Sequence, residues 1–127
     1  MINFITRVAL STTVLSLAAC ASTQPDTQVF INSGAKQCLG LGKSLDQTAK
    51  ILTDAGIDNA AASCGQQQGV LFPAVCGGGT PDVNIHTISQ ADVSAAKALG
   101  FKEVKGADIK ETECKTKKPS IRPNNQQ

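Results

Sequence analysis

Cysteine and histidine are the side chains of this sequence best suited to redox, nucleophilic or metal chemistry, and their spacing limits what they can do. Cys38, Cys64, Cys76 and Cys114 form an even set in which no two stand in a C-x-x-C pair. A zinc site or a thioredoxin-like redox site needs such a close pair to pre-form half the constellation. Two disulfides are therefore expected among these four residues, and no metal site. The only histidine, His86, alternates with Val83, Ile85 and Thr87, facing the side opposite Ile85. No G-x-S-x-G elbow offers it a serine, so it reads as a solvent-facing or internally satisfied residue rather than a general base. Gly40-Leu41-Gly42-Lys43-Ser44 ends like a phosphate-binding loop, yet Gln37 stands where that motif needs its first glycine, and no strong parallel strand feeds it. It reads as a turn followed by a helix N-cap at Ser44. The acidic residues are scattered among helix caps and the charged stretch from Glu103 to Glu113, without a pair marked as acid and base. No catalytic residue and no cofactor is assigned.

A fifth cysteine, Cys20, has a different setting. Arg7 is followed by an apolar stretch holding Val8, Ala9, Leu10, Val14, Leu15 and Leu17, and then by Leu17-Ala18-Ala19-Cys20. The stretch is too short and too rich in hydroxyls to span a bilayer comfortably, and it has the anatomy of a secretory signal. Its end resembles the lipobox of bacterial lipoproteins. That resemblance implies a signal peptide over 1–19, removed on export, and lipid attachment at Cys20 through its thiol and its new amine, palmitate being a typical chain. Several acyl chains at about 0.8 kcal/mol per buried CH₂ would hold the protein on a membrane lastingly. In that family an Asp directly after the cysteine favours inner-membrane retention. Ala21 stands here, which implies the outer membrane of the cell envelope, facing the periplasm or the cell surface.

Those cysteines need elements to position them. Residues 20–28 are a polar, Pro-containing spacer, and 29–114 hold the foldable pattern. Ser44 and Gln47 form a capping box ahead of Leu45, Ala49 and Leu52, and Gly56-Ile57 supplies a left-handed stop with an apolar closing contact. Ser89, the apolar run Ala91 to Leu99, and Gly100-Phe101 repeat that grammar. Helices are thus expected over 44–55 and 89–99, with strands over 29–31, 57–63, 70–76, 83–88 and 101–105. The order β-α-β-β-β-α-β predicts a small α+β two-layer sandwich with a mostly antiparallel sheet and both helices on one face. Pro73 marks the third strand as an edge or a bulge. Residues 115–127, with Lys115, Lys117, Lys118 and Arg122 among prolines and amides, read as a flexible basic tail. Following the strand directions, Cys38 is expected to pair with Cys64, and Cys76 with Cys114.

The balance of the chain narrows function by exclusion. A net charge of +2 with 17% charged residues is too mild for a nucleic-acid-binding domain, and the absence of Trp and Tyr removes the usual base-stacking and sugar-stacking groups. The reading is a non-catalytic, lipid-anchored envelope protein that binds a protein or cell-wall partner. A peptidoglycan- or glycan-binding domain is the alternative, by analogy of fold only, and an envelope hydrolase built around His86 the third.

Overall fold

The computed structural model describes residues 24–116; the leader, Cys20 and most of the basic tail lie outside them. The chain forms β1 (Asp26–Asn32), α1 (Leu45–Asp54), β2 (Ala61–Gln67), β3 (Asp82–Ser89), a 3₁₀ turn (Gln90–Asp92), α2 (Val93–Ala98), β4 (Lys102–Glu103) and β5 (Ile109–Thr112). The strands make one antiparallel sheet in the order β4-β1-β3-β2-β5. Up to β4 this is the split βαβ arrangement, to which β5 adds a strand outside β2. It is an α+β fold with two helices and two disulfides.

Both helices begin and end where local chemistry dictates. Ser44 Oγ accepts from the Gln47 backbone N–H at 3.2 Å, and the Gln47 amide oxygen accepts from Ser44 N–H at 2.8 Å, completing the capping box. At the other end Gly56 takes φ +78°, and the N–H of buried Ile57 reaches back to the Leu52 carbonyl. Phe101, behind Gly100, does the same to Ala96. In each case a side chain just past the helix is buried beside the face that the helix presents to the sheet. The second helix is shorter than the pattern implies, because Gln90–Asp92 wind as a 3₁₀ turn before Val93.

Alternation along the strands divides the apolar residues between two faces. Val29 and Ile88 pack with Leu52, Ile57, Val93, Ala96 and Phe101 beneath the helices. Phe30, Val83 and Ile85 point the other way and are covered by Val104, Ala107 and Ile109. That cover follows from topology. Strands β4 and β5 lie on opposite edges of the sheet, so residues 104–108 must cross its open face. Four strand spacings span about 19 Å, and fully extended chain of that length reaches only about 20 Å. The link nevertheless turns at Gly106, so it cannot cross a flat sheet of that width.

Five expectations are corrected. The strand expected over 57–63 runs over Ala61–Gln67 instead, because Ile57 is taken up in closing the end of α1. Residues 70–76 form no strand; they belong to the long connection between β2 and β3, where Pro73 lacks a ladder donor and Gln37 takes its carbonyl. A strand absent from the sequence reading, β5, arises in 109–112 because an edge strand with one covered face needs only one inward apolar side chain, here Ile109. Strand β1 begins at Asp26, within the segment assigned to the spacer. The disulfides join Cys38 to Cys76 and Cys64 to Cys114. Without a third strand to carry it away, Cys76 stays at the end of the sheet that Cys38 occupies, and β5 brings Cys114 back alongside β2.

Candidate functional site

Three places in the fold collect polar or exposed groups. The first surrounds His86, on the helix-facing side of central β3 and fully buried. Its Nε2 lies 2.7 Å from Thr48 Oγ1, which sits within reach of the Ser44 and Leu45 carbonyls and accepts from Asn84 Nδ2 at 3.2 Å. Asn84 Nδ2 also approaches the Lys43 and Ser44 carbonyls. His86 Nδ1 has no hydrogen-bond partner among the described residues. A buried N–H without an acceptor costs more than an idle lone pair, which favours the tautomer protonated at Nε2. Thr48 then donates to a carbonyl of its own helix and accepts from both His86 and Asn84. The network fastens the first turn of α1 to β3. His86 is thus a core residue and not a solvent-facing one, and among the described residues no acid or serine hydrogen-bonds to it.

Burial pushes the His86 imidazole below its ordinary pKa, so it folds neutral. The unfolded chain takes up a proton below about pH 6.5 while the folded one resists, so stability is complete above that value and falls as the pH drops beneath it. Since His86 is the only histidine, the loss from this group is at most about 1.4 kcal/mol per pH unit below that value. Urea unfolding at about pH 7.5 and about pH 5.5 checks this, with His86→Gln expected to flatten the dependence. A wild-type midpoint unchanged between the two would refute it.

The second place is a cleft of about 480 Å³ between the amino end of α1 and the segment 112–116, with Cys64 and Asn84 among its lining. Of its polar lining, Ser44, Gln47, Asp82, Asn84 and Lys115 are committed to hydrogen bonds of the fold. Lys115 grips the Asp82 carboxylate at 2.8 and 2.9 Å. Partial burial raises the Asp82 pKa, but Lys115, Gln66 and Thr80 outweigh that and hold it below the usual carboxylate value. The phosphate-loop look-alike supplies part of one wall, and Gly42, Lys43 and Ser44 each have a structural task. Gly42, at φ +72°, lies so close to Ser33 and Ala35 that a Cβ would meet their backbone atoms at 2.3 and 2.4 Å. Lys43 N–H donates to the Ser33 carbonyl at 2.7 Å, and Ser44 caps α1.

The third place was not anticipated from the sequence. The β1–α1 loop and the β2–β3 loop emerge from the same end of the sheet and are joined by Cys38–Cys76. Gln37 clamps them. Its N–H donates to Gly78 O, its carbonyl accepts from Gly77 N–H, and its side-chain amide donates to Pro73 O and Gly79 O. Of the three glycines, read as a flexible hairpin connection, Gly77 takes φ +83° and Gly78 packs closely against its own loop, where a Cβ would meet Val75 O at 2.9 Å. What this bracing displays is apolar. Leu71 is 97% exposed, Leu39 74% and Val75 57%, with Val70 and Leu41 also exposed and Phe72 half-buried. The run Val70-Leu71-Phe72 is legible in the sequence as apolar, but it fits the strand expected over 70–76, with Pro73 at an edge or a bulge, equally well.

Among the described residues, no group of three or more His, Cys, Asp or Glu is placed to hold a metal ion, and no helix is long and apolar enough to cross a membrane. Comparison of the chain with protein-family models, with curated proteins and with solved structures finds no match, so the functional reading stands on these residues and their geometry.

Proposed function

We propose that this protein is a lipid-anchored binding module of the bacterial cell envelope, held at Cys20 in the outer membrane and working through the braced loop tip rather than through catalysis. The observation that carries the reading is the tip itself. Water penalises exposed Leu and Val side chains, and a fold that stiffens such a surface with a disulfide and a glutamine clamp is suited to offering it pre-organised to a partner. Position supports the same reading. Strand β1 begins at Asp26 and ends at the tip, and its seven residues span about 20 Å, so the displayed surface lies at the end of the sheet remote from residue 26.

Two measurements in the native envelope test the proposal. Labelled palmitate should appear on the wild-type chain and vanish with Cys20→Ser; equal labelling would remove the anchor. A photo-reactive amino acid at position 71 should form adducts with an envelope component that the same group at exposed Asp58, at the opposite end of the sheet, does not form. Equal or absent adducts at the two positions would remove the binding role of the tip.

A further inference from the structure

The chemistry of the tip says more about what it meets. The two loops, residues 33–44 and 68–81, contain Lys36 and Lys43 and no acidic residue. Acids stand at the roots: Asp46 in α1, Asp82 at the start of β3 and already paired with Lys115, Asp108 before β5, and Glu113, which with Asp46 and Asp82 lines the cleft that Lys43 borders. The displayed side chains are Leu and Val. Protein–protein hot spots favour Trp, Tyr and Arg, disfavour Leu and Val, and deplete Lys. A second copy docking tip to tip would set Lys36 and Lys43 against their own symmetry mates. An apolar point with a basic collar suits a different solvent, in which aliphatic chains enter the acyl boundary and lysines stay with head-group phosphates.

Resting on the reading of the tip as the binding surface, we infer that its occupant is an anionic bilayer: Leu39, Leu71 and Val75 dip into the lipid interface while Lys36 and Lys43 meet the phosphates. Because the tip and residue 24 lie at opposite ends of β1, this is a second lipid contact, separate from an anchor at Cys20.

The chain contains no Trp, so one introduced at an exposed position reports without background. The full chain with its disulfides intact, carrying Leu71→Trp, is mixed with phosphatidylglycerol vesicles brominated in the acyl chains, and in parallel with brominated phosphatidylcholine. Leu39→Trp repeats the measurement should the first variant fold poorly, and Asp58→Trp reports on the far end. The expected result is a blue-shifted, strongly quenched emission from position 71 with phosphatidylglycerol, little change with phosphatidylcholine, and little change from position 58 with either. Lys36→Glu with Lys43→Glu should weaken partitioning on the order of tenfold or more. Unquenched emission from positions 71 and 39 at saturating anionic lipid overturns the inference, as does equal quenching at 71 and 58 or equal quenching by the two lipids. Photo-adducts of position 71 with an envelope protein, in the absence of quenching, would keep the binding role and discard the bilayer. Absence of both would discard both.

Discussion

Removing the two disulfides is expected to unfold the domain under conditions in which the oxidised protein is fully folded. The bridges close intervals of 38 and 50 residues. Cross-links of that length each restrict the unfolded chain by about 4 kcal/mol in the chain-entropy model, and the overlap of the two intervals makes the second contribution smaller than the first. Set against the about 5–15 kcal/mol that single domains retain, the pair amounts to a large part of the total. Thermal unfolding with and without a strong dithiol reductant measures the effect, and Cys38→Ala with Cys76→Ala separates the tip bridge from the one across the cleft. That variant should keep the sheet and lose the order of the loops, since the bridge joins two connections and no strand. Peptide mapping without reduction should find Cys38–Cys76 and Cys64–Cys114. A Cys38–Cys64 peptide would overturn the topology, and unfolding curves insensitive to reductant would overturn the energetic account.

Gly42→Ala should be nearly as damaging, although it adds one methyl group at an exposed position. At φ +72° a Cβ there is strained from the outset, and it would meet Ser33 O, Ala35 N and Gly34 C at 2.3, 2.4 and 2.7 Å. All three are backbone atoms, so relief requires lifting the loop from residues 33–35 and breaking the Lys43 to Ser33 hydrogen bond. Conformational strain and overpacking together are expected to cost about 3 kcal/mol or more. Gly56→Ala supplies the control. Its φ of +78° carries the same strain, but nothing lies within 4 Å of the added methyl, and about 1 kcal/mol should be lost. Equal urea midpoints for the two variants would show that the close approach at Gly42 is unimportant.

Features governed by neighbours in sequence were legible. The capping box at Ser44 and Gln47, the stops at Gly56 and Gly100, and the burial of Ile57 and Phe101 depend on residues within one helical turn of each other, so types and spacing determine them. The α+β class followed from those elements. Features that depend on which strands meet across the sheet were not legible. An apolar run such as Val70 to Phe72 fits a buried strand equally well, and only the clamp from Gln37, far away in sequence, holds it outside. Strand β5 has the composition of a loop and exists because β2 offers an edge and the other face needs Ile109. Both cysteine pairings turned on these two segments, which is why the expected connectivity failed although the number of bridges was right. His86 was correctly placed on its face, but its burial required knowing that α1 lies over it, with Thr48 reaching down.

The order of the cysteines along the chain carries a consequence for biogenesis. The native bridges interlock: Cys64 falls inside the interval closed by Cys38 and Cys76, and Cys76 inside the one closed by Cys64 and Cys114. A chain emerging amino end first into an oxidising compartment presents Cys38 and Cys64 together before Cys76 arrives. An oxidase that joins thiols in order of appearance would make that pair first and leave Cys76 to Cys114, two bridges that are both foreign to the fold. Reaching the native pair then requires attack by a thiolate on an existing bridge, through mixed disulfides, rather than further oxidation. The supply of correctly built protein would be set by the rate of this exchange, so an envelope lacking a thiol–disulfide isomerase should accumulate the chain fully oxidised and misbridged.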